Sequence, residues 1–534
     1  MAATLRVALL LAGVAWGQTT PSPTGSISGS VLYQGTGAAP DKATVVIDPG
    51  NKQLDTDAQG RYSLHDLPPG TYHMQAYAER GRGSATRVVT LNAGQDLTVG
   101  FHLPSQGSIT GRVVDENKDP VPDMSVFLVA REYQLGTLHY IIAGVASTND
   151  KGEYSLALVA PGRGYLVLAK KWVHNLDAIS DAPGDPKLRK RIPIPTYYGD
   201  ADSAEGAQIV SLRSGERREG VDIRLLRSPS YCIEGVLEGG AASAPLIFWL
   251  DEQAPTSGES EGGLQVFLVP PGGATGPDGK IRICDLHPGD YRLTAFDQTG
   301  NAFGSTDIYI TDGDVRKVRC AAVPRITVPG EVIWDGKAPE KPVDAKLRLW
   351  LTMNSLAPEL PEQPTSSIPG EFLFPRMPMN SYAVHLRGLP DDLYVKDITY
   401  SGQSVLHKPL NVGSAIGNAT LRVVVATDGG VIAGKVADKD GNPIPDSWVT
   451  VMPAEAESEA ILAAALVSEQ SDQNGAWSTK RLAPGKYYVV ASSTPFDTTP
   501  ERIGRLWQLH TSAQEVELGP GATVQITLVP MPED

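Results

Sequence analysis

The residues able to do chemistry are few, and their spacing argues against catalysis. None of the nine histidines is followed by Glu at the third position, and no HExxH occurs, so the usual zinc-ligand spacing of a metalloprotease is absent. No CxxC or Cys/His pair points to a metal. Gly258-Glu-Ser260-Glu-Gly262 spells a nucleophile elbow by letters. An elbow needs an apolar strand before the serine and a helix after it. Here PTS precedes and GLQV follows, and two glutamates oppose an activated serine, so a solvated loop is the reading. Asp55-Thr-Asp57-Ala-Gln59-Gly60, with Asp66 at the twelfth position, imitates a calcium loop, but its fifth and twelfth positions are wrong and a strand follows. Similar turns at Asp150, Asp278 and Asp472 point to simple Asx turns. No catalytic residue, cofactor site or metal site is therefore assigned, and the chain reads as a non-enzyme.

Two groups remain. Cys232, Cys284 and Cys320 allow one disulfide and leave one thiol. Strand parity turns Cys232 and Cys284 outward and Cys320 inward, which favours the first two as the pair; connectivity is not fixed by sequence, and the other pairings stay open. An aromatic face can stack on a sugar ring if it is exposed beside polar groups. Trp172, Tyr197, Tyr198, Trp334 and Trp507 fall in loops or at strand ends and form the candidate ligand-binding set. The competing reading is that they pack beneath long loops, the usual fate of large aromatics. Trp249, Trp350 and Trp448 lie within apolar strands and are expected in the core.

A repeated unit positions these residues. Residues 60–72, GRYSLHDLPPGTY, read as a strand, a turn at Pro69-Gly70 with positive φ at the glycine, and a returning strand. The frame recurs at 279–291 and 475–487, one residue longer at 152–165, and at 370–382, where Asn380 replaces the turn glycine. Each copy follows an opening strand of the type Ile27-Ser-Gly29-Ser-Val31 and precedes a closing hairpin. The repeat of about 100 residues exceeds solenoid periods, so each unit should own its core. The boundaries read as 1–17 signal peptide, 18–24 linker, and modules at 25–104, 105–228, 229–323, 324–426 and 427–534, the fourth divergent. The connections are short, so neighbouring beads on the string should sit close and bend little. Module two carries a long insertion at 171–200. Module five carries a helical run at 454–470, with a second short helix at 501–510.

The opening I-x-G-x-V followed by LxPGxY resembles the carboxypeptidase regulatory-like domain. The resemblance implies an all-β chain, a tandem array of five Ig-like or prealbumin-like β-sandwich domains with one or two short helical insertions. It also implies a structural or binding role without chemistry, with carbohydrate at the cell envelope as the first ligand class. The alternative is a stalk without a small-molecule or glycan ligand, docking a protein partner through 171–200 and 454–470.

Composition agrees. Of 534 residues 20% are charged, and the net charge of −15 gives no footprint for nucleic acid or anionic lipid. Arg6, the apolar run 7–14 and Ala15-Trp16-Gly17 form a secretory signal too short to span a bilayer, and no later stretch is long enough. The expected location is periplasmic or secreted, without an anchor.

Overall fold

The computed structural model describes residues 23–78, 83–134, 137–171, 189–239, 245–252, 272–336, 347–353, 363–365, 370–379, 381–387, 389–390, 392–406, 408, 410–413, 419–456, 458–496, 498–509 and 513–531. The chain is all-β, and among the described residues short helices occur only at Glu459–Ala465 and Pro500–Leu509. Five successive sandwich units are built on one plan, and the sequence explains why.

In module one the opening strand Gly25–Tyr33 buries Ile27 and Val31. It pairs antiparallel with Arg61–Leu67 and parallel with the closing strands Asp96–Thr98 and Phe101–Leu103. The facing sheet runs Lys52–Asp55, Ala43–Asp48, Gly70–Ala78, Ser84–Leu91. Tyr72, Met74, Ala76 and Ala78 alternate inward along Gly70–Ala78, as the period of two requires. Every later module closes in the same way, its last strand parallel to its opening strand: Arg217–Arg218 and Ile223–Arg224 in module two, Val315–Pro324 in three, Leu421–Ala426 in four, Thr523–Leu528 in five. Module three differs in joining both layers into one seven-stranded sheet.

The repeat motif is held differently from the sequence expectation. Gly70 has an ordinary φ and open space around it, so no type II glycine turn forms there, although the equivalent Gly162 of module two does take a positive φ, 85°. The positive φ falls on the first glycine of the motif: Gly60, Gly152, Gly279 and Gly475, at 76°, 71°, 67° and 71°. At each, an added Cβ would run into a carbonyl oxygen of the opening strand, that of Val31, Val113, Leu237 or Val436. A second positive φ sits at Asp66, Leu158, Asp285 and Arg376, where the strand bulges against its partner. Asn380 lies outside the described residues.

The motif tyrosine then locks the corner. Tyr72 donates to the Pro68 carbonyl at 2.6 Å, Tyr291 to His287 at 2.9 Å, Tyr382 to Pro378 at 2.7 Å and Tyr487 to Ala483 at 2.6 Å. Tyr165, after the one-residue insertion, reaches the Ala160 carbonyl at 3.0 Å. This is the device of a tyrosine corner, an aromatic body in the core with its hydroxyl returned to the backbone.

The units do not form an open string. Modules two and three are joined by a two-stranded ribbon, Arg191–Pro193 against Arg227–Pro229. Beside it Arg189 donates to the Ser230 carbonyl and to Asp314 and stacks on Tyr231. Phe303 of module three lies in the core cluster of module four. Tyr394 of module four donates to Asp428 at the start of module five at 3.0 Å. Module five in turn folds back onto modules one and two.

Candidate functional site

The sequence candidates are dispersed. Tyr197 is 1% exposed, within an apolar cluster with Phe127, Val129, Ile142, Leu166 and Leu168 on the outer face of module two. The expectation of a sugar-stacking Tyr197 is therefore corrected: its ring is a core ring, because strands Ser125–Gln134 and Gly164–Lys170 are apolar on both faces and the segment around 197 covers the second one. Tyr198 is half-buried against the inner core of module two, Trp334 against that of module four, and Trp507 against the helices of module five. These three belong to three separate clusters, and no shared aromatic face joins them. Trp172 lies outside the described residues. Trp249, expected in the core, points instead to the outer face, edge-on to Phe296 at 4.8 Å between centroids. Trp448 is likewise only half-buried, and the Trp350 side chain lies outside the described residues.

Cys232 and Cys284 form a disulfide, with Cα atoms 4.0 Å apart on the adjacent strands Tyr231–Gly239 and Lys280–Leu286. Cys320 is 2% exposed, and burial pushes its thiol pKa up to about 11. A thiol held protonated in a core has little nucleophilic character.

The acidic loops are Asx turns. Asp57 accepts from the backbone N–H groups of Gln59 and Arg61 at 2.9 and 2.8 Å, and Asp472 from those of Asn474 and Ala476 at 2.8 and 2.9 Å. In module two the residue in this role is Asn149, not the expected Asp150. These bonds hold the Asp57 carboxyl below the usual carboxylate range, with the Arg61 N–H contributing most. Among the described residues no group of three His, Cys, Asp or Glu is placed to hold a metal ion.

The surface with the most directed chemistry is one that no local sequence pattern marks. On the module-one side, the Gln473 carboxamide donates to the Thr90 carbonyl at 2.7 Å and accepts from the Thr90 N–H at 3.0 Å. A side-chain amide thus does to strand Ser84–Leu91 what a neighbouring strand would do. Thr86 donates to Gln470 at 3.3 Å, and Arg87 pairs with Asp446 at 3.1 Å. Burial nevertheless raises the Asp446 pKa, the Arg87 charge only partly opposing it. The pair is partly exposed, and such pairs contribute about 0–1 kcal/mol.

On the module-two side, Arg131 pairs with Glu501, and the Tyr133 N–H donates to the Thr498 carbonyl at 2.7 Å. The Tyr133 ring packs against a cluster of Met452, Val490, Leu462, Phe496, Ile503 and Leu506. Helix Glu459–Ala465 is capped by the Ser458 hydroxyl, and both helices cover the outer face of module five's sheet. The expected helix over 454–470 is shorter than its Ala-rich composition suggested: it begins after Ser458, and Val467–Gln470 turns back as a strand. The insertion read as a docking element for a partner is docked on the chain's own second module. Sequence separations of about 380 residues left this clasp without a local signal.

Residues 26–104 match the carboxypeptidase regulatory-like domain family. No curated protein matches the chain. Among solved structures, the Bacillus anthracis TIE protein is 12% identical over 76% of this chain and 68% of its own, with a TM-score of 0.15. A streptococcal ancillary pilin is 11% identical over 57% of this chain and 100% of its own, at 0.19. The major pilin subunit BcpA of Bacillus cereus is 12% identical over 56% and 99%, at 0.15. Scores this low establish no common overall arrangement.

Proposed function

We propose that this chain is an exported, non-enzymatic scaffold of the cell envelope, its five β-sandwich modules closed into one body by module five. The observation that carries this reading is the clasp: the helical insertion with free surface to offer a partner is spent on strand Ser125–Gln134 of the same chain. Two further features support it. The recurring tyrosine hydroxyls are bonded to backbone inside their own modules. The family matched at 26–104 is one whose resemblance implies a fold and not a reaction. Among the described residues no helix is long and apolar enough to cross a membrane.

Carbohydrate binding follows from the resemblance alone, and its remaining candidates, Tyr198, Trp334 and Trp507, lie in three modules. A protein partner would be sought at 171–200, since 454–470 is already engaged. The test is calorimetric titration of the chain with chemically diverse polysaccharides, together with subcellular fractionation. The scaffold reading expects envelope or secreted localisation and no saturable heat. Saturable binding abolished by Trp172→Ala or Trp507→Ala would replace it with a glycan-binding array.

A further inference from the structure

Six edge strands among the described residues are seven residues or longer, and an unprotected edge is a template for another strand. Five are protected. Arg61–Leu67 carries Arg61 and Asp66; Lys280–Leu286 carries Lys280, Arg282 and Asp285; Gly370–Met377 carries Glu371, Pro375 and Arg376. Glu153–Val159 has Glu153 and a bulge before Val159. Ser84–Leu91 is met by Gln473, Gln470 and Asp446 of module five.

The sixth, Thr137–Ser147, is the longest at 11 residues and contains no Asp, Glu, Lys, Arg or Pro. It edges the sheet Thr137–Ser147, Ser125–Gln134, Gly164–Lys170. A register shift leaves Ala143 unpaired, so 137–142 runs in unbroken register against 129–134. The arm formed by these two stretches already takes a backbone bond on its other side, from Tyr133 N–H to the Thr498 carbonyl.

We propose that the edge 137–142 is a strand-addition site for a second copy of this chain, the same stretch of each copy pairing antiparallel across a two-fold axis. The occupant follows from the chemistry of the strand. It offers a ladder of peptide groups and no charge to select a foreign strand. Two copies face each other with no like-charged pair, which would oppose direct cross-strand contact. A self-complementary patch closes at two and does not propagate. Residues opposite one another share a face, so a register centred on Tyr140 sets Leu138 of one copy opposite Ile142 of the other and the two Tyr140 rings side by side. Leu138 and Tyr140 are half-exposed, so their rims are available to this contact, while Ile142 is buried in its own module and joins through its backbone.

The test is sedimentation velocity of the full chain over a hundredfold concentration range, with hydrogen exchange of the 137–142 amides at both ends of it. The expected result is a reversible monomer–dimer equilibrium, with those amides slowing at high concentration. Leu138→Lys places a charge on the edge and should shift the midpoint at least tenfold toward monomer. Tyr140→Lys sets two lysines opposite each other and should abolish the dimer; exchange protection of the Val126 and Val167 amides reports that module two remains folded. A chain monomeric throughout overturns the proposal. So does a dimer unchanged by Leu138→Lys, or one whose 137–142 amides exchange equally fast at all concentrations.

Discussion

At the scale of single residues, the decisive distinction is between glycines that look alike in sequence. The motif G-x-Y…PGxY offers two, and turn chemistry pointed to the second as the constrained one. In module one the backbone constrains the first. Gly60 has φ +76° and a Cβ there would strike the Val31 carbonyl oxygen, whereas Gly70 has ordinary φ and nothing nearby. Gly60→Ala should therefore cost module one about 2 kcal/mol or more, from left-handed strain plus the clash, while Gly70→Ala should stay within about 0.5 kcal/mol. Hydrogen exchange of the module-one core amides separates the two without a global two-state assumption. The tyrosines carry a second expectation. Burial pushes the Tyr487 hydroxyl up to about 12, and those of Tyr62, Tyr154 and Tyr382 are raised in the same direction. Their folded pKa exceeds the unfolded value, so the stability they contribute is intact below about pH 10 and falls as pH rises above it, for Tyr487 through about 12. Tyr487→Phe should flatten that alkaline fall for module five in urea titrations at successive pH values, while costing about 1 kcal/mol at neutral pH from the lost bond to Ala483. The inward parity of Tyr72 and its repeats was readable from alternation. The hydroxyl's partner was not, because a bond four residues back requires the actual bend.

Strands and helices show where local pattern suffices and where it fails. Opening strands, closing strands and the phase of Cys232, Cys284 and Cys320 follow from period-two alternation, since one buried face fixes register. Aromatics at strand ends escape this logic. Tyr197 is buried because a sheet with both faces covered, as in module two, removes the inside–outside contrast that alternation reads, whereas Trp249 takes the outward phase between the buried Phe248 and Leu250. The helices were legible as helices but not as a docking surface. Leu506 is fully buried on Pro500–Leu509 among Met452, Val490 and Ile503, and the Tyr133 ring of module two packs on the same cluster. Leu506→Ala should cost about 2–5 kcal/mol through the cavity it leaves. Because the cavity lies between helices and hairpin arm, the loss should appear as faster exchange in both 500–509 and 131–134, two segments from different modules. Acceleration confined to the helix would mean that module two takes no part in the cluster.

At the scale of the whole molecule, the sequence implies beads with short links and the structure adds a closure between the ends. The links between modules two and three, three and four, and four and five each carry a contact beside the chain itself, so orientation passes across them instead of being lost at single-chain joints. That allows contacts spanning about 380 residues to form at small entropic cost, because the ends are already held near one another. Loop-closure entropy would otherwise oppose a clasp whose module-one side is polar and water-accessible. The apolar contact at Tyr133 and the backbone bond to Thr498 should therefore carry closure, with Gln473 fixing register at module one. Spin labels on exposed Ser63 and Asn474 measure the distance between modules one and five directly. The unmodified chain should give a single narrow distribution. Asp446→Asn should change it little, because a partly exposed ion pair contributes about 0–1 kcal/mol. Tyr133→Ala should broaden it, since it removes the apolar contact and leaves module one held by three hydrogen bonds of about 1 kcal/mol each, two between Gln473 and Thr90 and one between Thr86 and Gln470, with the partly exposed Arg87–Asp446 pair. A distribution broad in the unmodified chain would mean that the modules move as separate bodies, and the scaffold would then be a flexible string whose free helices remain available to a partner.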